Sequence, residues 1–210
     1  MTSRVCIIRH GETDWNRESR IQGQIDIPLN ETGRAQALAM AFNSAHHRFS
    51  AIYSSDLSRA VETATALSIR ENLEVKTMPQ LRERNYGIFQ NITKTEAPKK
   101  YPEAYALYAA RDLDYNFETG ESLQDFSQRV LDVFAGLVRH HYDEQFAVVC
   151  HAGLLDIMYR HATGRPLETE RDFHIPNSAL NWFHHNANGW HLEKWDDHHH
   201  VKHVLMDSAE

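Results

Sequence analysis

Two histidines occupy matching places in the sequence, each directly after an apolar run and directly before a turn that contains glycine. The run 5–8 (VCII) leads into Arg9 and His10, and the run 146–150 (FAVVC) leads into His151. A neutral imidazole is a nucleophile, whereas a protonated imidazole donates a hydrogen bond to an anionic oxygen. The guanidinium of an adjacent arginine matches the oxygens of a phosphate group with two parallel hydrogen bonds. These residue types therefore favour transfer of a phosphoryl group.

A third apolar segment, 51–54 (AIYS), leads toward Arg59, which falls in the first turn of a predicted helix. If the three segments are neighbouring parallel strands, their carboxyl ends lie at one edge of the sheet, where such sheets bind ligands. The side chains that would meet there are those of Arg9, His10, Arg59 and His151. A helix that starts after His151 would also turn the backbone N–H groups of Ala152 and Gly153 toward a bound anion.

The elements that must position these residues alternate between strands and helices. Apolar runs and alternating patterns predict strands at 5–8, 51–54, 73–78, 146–150, about 178–185 and about 190–195. Apolar residues at helical spacing predict helices at 33–46, 56–70, 122–137 and 154–161, with caps at Asn30 or Thr32, at Asp56 and at Ser122. The alternation predicts an α/β fold with a mainly parallel sheet. Prolines and tyrosines mark residues 84–120 as a lid-like insertion in a single domain over 1–210.

Composition limits the classes of function. The 210 residues carry a net charge of −7, so the chain is a poor general binder of nucleic acid. No apolar run reaches the ~18 residues that a membrane helix needs, and the amino terminus lacks the apolar segment of a signal peptide. Cys6 and Cys150 do not make a disulfide framework, which favours the cytoplasm. The sequence is compatible with a homodimer.

Other ways of handling phosphate do not fit the sequence. A cysteine phosphatase needs an arginine six residues after its cysteine, but Glu12 and Asp156 occupy these positions after Cys6 and Cys150. The phosphate loop G-x-x-x-x-G-K-[ST] is absent, and so is the H-E-x-x-H pair of zinc enzymes. The three histidines at 198–200 are adjacent, which is poor geometry for one metal ion. We therefore expect no metal.

Five segments follow one another along the chain: RHGET with Asn16 and IQGQIDIPL, then YSSDLSRAVETA, LRERNYGIFQN, GESLQDFSQRV and CHAG. Together they resemble the histidine phosphatase superfamily, also called the phosphoglycerate mutase-like family, over most of the chain. The resemblance implies a three-layer α/β/α sandwich. It also implies a metal-independent phosphomonoesterase that acts on a small phosphorylated metabolite and needs no cofactor.

The resemblance further implies a role for each matching residue. His10 would take the phosphoryl group as phosphohistidine, and Glu83 would protonate the leaving oxygen and then help a water attack. The oxygens of the phosphoryl group would be held by Arg9, Arg59 and His151. The residues expected to bind the substrate are Asn16, Gln22, Gly23, Tyr86, Lys94, Arg111, Ala152 and Gly153. The aromatic rings at 101, 105 and 108 have helical spacing, which is more typical of packing than of recognition.

Two other functions stay open from the sequence. Gln90, Asn91 and Lys94 resemble the cofactor-dependent phosphoglycerate mutases, which would require 2,3-bisphosphoglycerate as cofactor. Those mutases carry paired arginines and a proline-rich run in the insertion, where this chain has only Arg111, so we expect hydrolysis. A non-catalytic phosphate-binding module is the second alternative. The presence of His10, together with its partner residues, speaks against a module without activity, and the identity of the phosphomonoester is not predicted.

Overall fold

The computed structural model describes residues 2–201, so Met1 and residues 202–210 of the predicted domain lie outside the described range. In this range the strands are β1 (Ser3–Arg9), β2 (Ile52–Ser54), β3 (Val75–Thr77), β4 (Gln145–Cys150), β5 (Leu180–Asn186) and β6 (Gly189–Asp197). They form one sheet in the order β3-β2-β4-β1-β5-β6. The first four of these in sheet order run parallel, and β5 and β6 are antiparallel. The predicted mainly parallel sheet is therefore confirmed.

The helices of the described range are α1 (Asp14–Arg17), α2 (Glu31–Asn43), α3 (Ser58–Glu71), α4 (Ala97–Lys100), α5 (Pro102–Ala109), α6 (Leu123–His140) and α7 (Ala152–Thr163). Short 3₁₀ turns lie at Ser44–His46, Pro79–Leu81 and Gly87–Phe89. Among the described residues, no helix combines the length and the apolar character required to cross a membrane.

Helices cover both faces of the sheet, because every side chain of β1 from residue 5 to residue 8 is apolar and buried. Val5 and Ile7 belong to a core that includes the apolar side of α6 and α7, such as Phe134 and Leu154. Cys6 and Ile8 belong to a second core that includes the apolar side of α2 and α3. Successive residues of a strand point to opposite faces, so one continuous apolar run fills both cores. This arrangement is the predicted three-layer sandwich.

The helix starts agree with the predicted caps at two places and disagree at one. The side chain of Asn30, rather than Thr32, accepts a hydrogen bond from the Gly33 N–H (2.8 Å), and Ser122 accepts one from the Asp125 N–H (3.0 Å). The prediction that Asp56 caps α3 is wrong. Its carboxylate instead accepts two hydrogen bonds from the Arg82 guanidinium, at 2.7 and 2.6 Å. Two charge-assisted hydrogen bonds from a guanidinium are stronger than the one hydrogen bond that a capping carboxylate accepts from a backbone N–H.

The insertion, residues 84–120, contains α4, α5 and its own small apolar cluster. Phe89 and Phe117 are fully buried in this cluster, and their ring centroids lie 5.1 Å apart. Tyr101 stacks on Phe89 and Tyr108 meets it edge-on, so the helically spaced tyrosines do pack. Tyr108 also borders the cavity described below, so packing is not its only role. The lid-like function of this segment stays a prediction.

Candidate active site

The site lies at the carboxyl ends of β1 and β4, which are neighbours in the sheet. Arg9 is in register with Cys150, and the His10 N–H donates a hydrogen bond to the Cys150 carbonyl (2.9 Å). His10 and His151 therefore follow their strands side by side. The centroids of their rings are 5.1 Å apart, with 59° between the ring planes, and both side chains are buried. The two matching strand ends of the sequence meet in the structure.

The hydrogen bonding of His10 leaves one ring nitrogen available for chemistry. Its Nδ1 lies 2.7 Å from the Gly11 carbonyl oxygen, which can only accept, so we assign the proton to Nδ1 and the lone pair to Nε2. Burial lowers the pKa of His10 well below its usual value, and the charges of Arg59 and Arg9 lower it further. The imidazole is therefore neutral at neutral pH, which is the form that attacks phosphorus.

The second histidine, like the first, is neutral in the protein alone. Burial, followed by the charges of Arg59, His10 and Arg9, lowers the pKa of His151 well below its usual value. Nearby cations therefore oppose a positive charge on His151 in the protein alone, whereas donation by a protonated second imidazole to a phosphoryl oxygen stays a prediction for the complex. A neutral imidazole still donates one hydrogen bond, and a bound phosphate dianion would favour its protonation.

Two arginines, the buried Arg59 and the half-buried Arg9, have polar atoms that the protein does not satisfy. Arg59 donates to the Gly23 and Ile25 carbonyl oxygens at 2.7 and 2.9 Å, and Arg9 donates to the Ile175 carbonyl oxygen at 2.6 Å. The Nε atoms of both arginines and both ring nitrogens of His151 are buried and have no hydrogen-bond partner among residues 2–201. Burial lowers the pKa of both arginines to about 10, so they stay charged at neutral pH. Unsatisfied buried donors of this kind favour an anionic ligand.

Glu83 lies against the amino end of α7. Its carboxylate accepts hydrogen bonds from the Arg84 N–H (2.8 Å) and from the Gly153 N–H (3.0 Å). The expectation that the Gly153 N–H points at the bound anion is therefore wrong, because that N–H orients Glu83. A Cβ atom at position 153 would lie 2.2 Å from Glu83 Oε1. Glycine is needed there so that the carboxylate can approach the helix.

The backbone around Glu83 is held by an arginine that the sequence analysis missed. Arg129, on α6, donates to the carbonyl oxygens of Gln80, Arg82 and Glu83, at 2.6, 2.9 and 3.3 Å. The same guanidinium forms a double hydrogen bond with the Glu121 carboxylate, at 2.7 and 2.8 Å. Arg129 therefore fixes the segment that carries Glu83, and the signal that could have found it is that Arg129 and Glu121 both lie in the segment GESLQDFSQRV.

A cavity of about 400 Å³ opens above these residues. The predicted site residues that line it are Arg9, His10, Asn16, Gln22, Gly23, Arg59, Glu83, Tyr86, Lys94, Arg111, Ala152 and Gly153. His151 is fully buried, next to the His10 ring. Gly23 has a φ of +53°, and a Cβ there would lie 2.1 Å from Gln90 Oε1. A side chain at this position would be strained and would also collide with the Gln90 side chain.

Arg111 lines the cavity but its charge is already paired. Its Nη2 donates to the Asp156 carboxylate (2.7 Å) on α7, and its Nε donates to the Leu167 carbonyl oxygen. Asp156 is buried and also accepts a hydrogen bond from Arg160 (3.2 Å). This pairing joins the insertion to α7, which leaves Arg111 less available to a substrate than its sequence position suggested.

Several lining residues were not found from the sequence. The charged ones among them are Arg20, Arg84, Asp112, Asp156, Glu170 and Arg171. Arg84 directly follows Glu83 in the sequence, and this position next to the expected acid could have predicted that it lines the cavity. Glu170 and Arg171 lie in the loop between α7 and β5, where apolar residues do not recur at a helix or strand spacing. Only the path of this loop in three dimensions brings them to the cavity.

The chain was compared with known proteins. A family model described as the histidine phosphatase superfamily (branch 1) matches residues 5–198. A phosphoglycerate mutase-like protein 4 of Arabidopsis thaliana is 35% identical over 202 residues, covering 94% of this chain and 86% of the relative. A metal-independent phosphoserine phosphatase of the same plant is 35% identical over 205 residues, covering 95% and 84%. The structure of a mycobacterial glucosyl-3-phosphoglycerate phosphatase superposes with a TM-score of 0.82 at 30% identity, covering 93% and 99%.

Proposed function

The chain belongs to the histidine phosphatase superfamily and is a phosphatase of small phosphorylated metabolites, and we propose that His10 is the residue that receives the phosphoryl group. The observation that carries this proposal is the arrangement around His10 Nε2. A neutral imidazole nitrogen with a free lone pair faces a cavity, beside buried guanidinium and imidazole groups that the protein leaves unsatisfied. A phosphoryl group supplies the negative oxygens that these groups lack.

In the first half-reaction, the lone pair of His10 Nε2 forms a bond to phosphorus while the bond between phosphorus and the ester oxygen breaks. Glu83, in its acid form, gives its proton to the departing oxygen, so that an alcohol leaves. Each carboxyl oxygen of Glu83 accepts one backbone N–H, and its second lone pair can carry the proton. The guanidinium groups of Arg9 and Arg59 hold the oxygens of the transferring group in line.

In the second half-reaction, a water molecule attacks phosphorus and the bond to His10 Nε2 breaks. The Glu83 carboxylate takes a proton from this water, inorganic phosphate forms, and His10 recovers its neutral form. The phosphohistidine divides the hydrolysis into two displacements, and each has a lower barrier than direct attack of water on the ester. Charge stabilisation comes from the arginines and from His151, so we propose that no metal ion takes part, as the name of the metal-independent relative also suggests.

The alternative functions receive less support. A mutase that holds a bisphosphorylated intermediate needs more than one free cation in the insertion, where Lys94 lines the cavity but Arg111 is already paired with Asp156. A module without activity would not require the Glu83 carboxylate to be fixed by Gly153 and the backbone beside a nucleophile. The buried, free cysteines Cys6 and Cys150 support our proposal of a cytoplasmic protein, while a homodimer stays a prediction.

The function is tested by incubating the full chain with p-nitrophenyl phosphate and a panel of small phosphomonoesters in the presence of EDTA. We expect release of inorganic phosphate, and its loss in His10→Asn but not in His161→Asn, which changes an exposed histidine of α7. Binding of phosphate without hydrolysis of any ester would favour the binding module. Conversion of 3-phosphoglycerate to 2-phosphoglycerate, dependent on 2,3-bisphosphoglycerate and faster than phosphate release, would favour the mutase.

A further inference from the structure

The peptide group that joins His10 to Gly11 is held at both ends by side chains from distant parts of the chain. Its carbonyl oxygen, that of His10, accepts a hydrogen bond from Asn177 Nδ2 (2.8 Å). Its N–H group, that of Gly11, donates to Thr63 Oγ1 (3.0 Å). Asn177 lies 167 residues after His10 in the sequence, and Thr63 lies 52 residues after Gly11. Two separate segments therefore converge on the one peptide group that follows the proposed nucleophile.

The roles of both side chains as donor or acceptor follow from their partners. The Thr63 hydroxyl donates to the Arg59 carbonyl oxygen (2.7 Å), which can only accept, so Oγ1 keeps its lone pairs for the Gly11 N–H. The Asn177 amide faces another carbonyl oxygen, so its NH2 group is assigned to that side. The same nitrogen lies 3.4 Å from Asn16 Oδ1. Each side chain therefore also contacts a second residue of the proposed phosphoryl site.

Both side chains are held by the surrounding structure. Thr63 is fully buried within α3. Asn177 is half-buried, and the backbone on either side of it is bonded to Arg9. Arg9 Nη1 donates to the Ile175 carbonyl oxygen (2.6 Å), and the Ser178 N–H donates to the Arg9 carbonyl oxygen (2.9 Å). The contacts with the peptide group are thus in place before a substrate binds, so they need no reorganisation during the reaction.

This peptide group matters because the next carbonyl along the chain orients the nucleophile. The Gly11 carbonyl oxygen lies 2.7 Å from His10 Nδ1 and holds the proton on that nitrogen. Gly11 has no Cβ, so its torsion angles are less restricted than those of other residues and do not by themselves fix this carbonyl. Rotation of the peptide group would move the carbonyl away from Nδ1. The proton could then shift to Nε2, the nitrogen that must attack phosphorus.

We propose that Thr63 and Asn177 are positioning residues for phosphoryl transfer, which fix the peptide group after His10 so that its ring keeps the proton on Nδ1 and the lone pair on Nε2. Within the described range 2–201, the side chains that line the cavity do not include these two, so both act through His10 and not on the substrate. This inference rests on the proposed role of His10 as the nucleophile.

The position of the proton is measured by ¹⁵N NMR of histidine-labelled protein at neutral pH, with the His10 signals identified by their loss in His10→Asn. We expect the proton on Nδ1 alone in the unaltered protein. Thr63→Val and Asn177→Leu keep the side-chain shape but remove the hydrogen-bonding groups, and each should give a mixture in which Nε2 carries part of the proton. A proton on Nδ1 alone in both variants, or on Nε2 in the unaltered protein, would overturn the proposal.

The rate of phosphoryl transfer is measured in a single turnover with p-nitrophenyl phosphate. Each variant should transfer the group about tenfold or more slowly, from one lost hydrogen bond and a displaced nitrogen. The inhibition constant of inorganic phosphate should change little, because the two arginines of the site are unaltered. Combining Thr63→Val with Asn177→Leu should add little to the larger single effect, since both bonds act on one peptide group. Thr63→Ser keeps the hydroxyl and should recover most of the rate.

Thr65→Val is the matched control, because exposed Thr65 also lies on α3 and its hydroxyl donates to the carbonyl oxygen four residues earlier, that of Val61 (2.8 Å). It should leave the rate and the proton position unchanged. Effects that multiply in the double variant, or a Thr63→Ser variant as slow as Thr63→Val, would indicate independent packing defects and overturn the proposal. Because Asn177 is only half-buried, the test does not depend on the folding of Thr63→Val alone. No hydrolysis of any ester by the unaltered protein would instead refute the proposed function, while the NMR measurement would still decide the role of these two residues.

Discussion

Replacing Gly153 by alanine should disable the proposed acid without touching the nucleophile. The added Cβ would lie 2.2 Å from Glu83 Oε1 and 3.0 Å from two ring carbons of Phe126. Ordinary contacts of this kind begin near 3.4 Å, so the carboxylate must retreat by about 1 Å. A displacement of about 1 Å can cost roughly 10²-fold in rate, and general acid catalysis contributes about 10²–10⁴-fold. We therefore expect the first half-reaction with an alkyl phosphate to slow by at least about 10²-fold.

The assay is a rapid-quench measurement of alcohol release in a single turnover. p-Nitrophenolate leaves without a proton, so its burst should slow much less than the release of an alcohol from an alkyl phosphate. Glu83→Gln should show the same dependence on the leaving group. Gly136→Ala is the matched control, since Gly136 is helical and the added Cβ would lie 4.0 Å from the Arg139 guanidinium. Equal slowing for both leaving groups, or none for the alkyl phosphate, would refute the role of Gly153.

Three further predictions concern charge. Arg59→Ala should lower kcat/KM by about 10²–10³-fold, and an unchanged value would place this arginine outside the reaction. Because burial holds the pKa of His10 and of His151 below the unfolded value, the unfolded chain binds more protons below pH 6.5 and stability falls as the pH falls. His10→Asn should therefore reduce the loss of stability that urea unfolding measures between pH 6.5 and 5, and an unchanged pH dependence would contradict this role of His10. Arg111→Ala should lower the free energy of unfolding by about 1–3 kcal/mol, because buried Asp156 loses a charged partner, and no change in the urea midpoint would contradict the pairing.

The strand ends that form the site could be predicted because local sequence determines them. A run of four apolar residues such as 5–8 is buried on both sides, and this requires a central parallel strand with helices on each face. Once β1 and β4 are central and parallel, the residues that follow them must share one edge of the sheet. The positions of His10 and His151 follow from these two steps.

The remaining features depend on contacts between distant residues, which the local pattern does not contain. Asp56 resembles a helix cap, but a bidentate bond from Arg82 was available 26 residues away. The N–H of Gly153 stands at a helix start, where an anion is expected, but it donates to the Glu83 carboxylate, which lies 70 residues away in the sequence. Arg171 lies in a segment without periodicity, so nothing in the sequence associates it with the cavity.

The central claim is that His10 Nε2 forms a bond to phosphorus during turnover. It is tested most directly by mixing the protein with ³²P-labelled substrate, quenching in alkali within one turnover, and locating the label by peptide mapping. The mechanism predicts an acid-labile, alkali-stable phosphohistidine on the peptide that contains residue 10, and no label in His10→Asn. Phosphate release without a labelled intermediate, or label on a different residue, would contradict it.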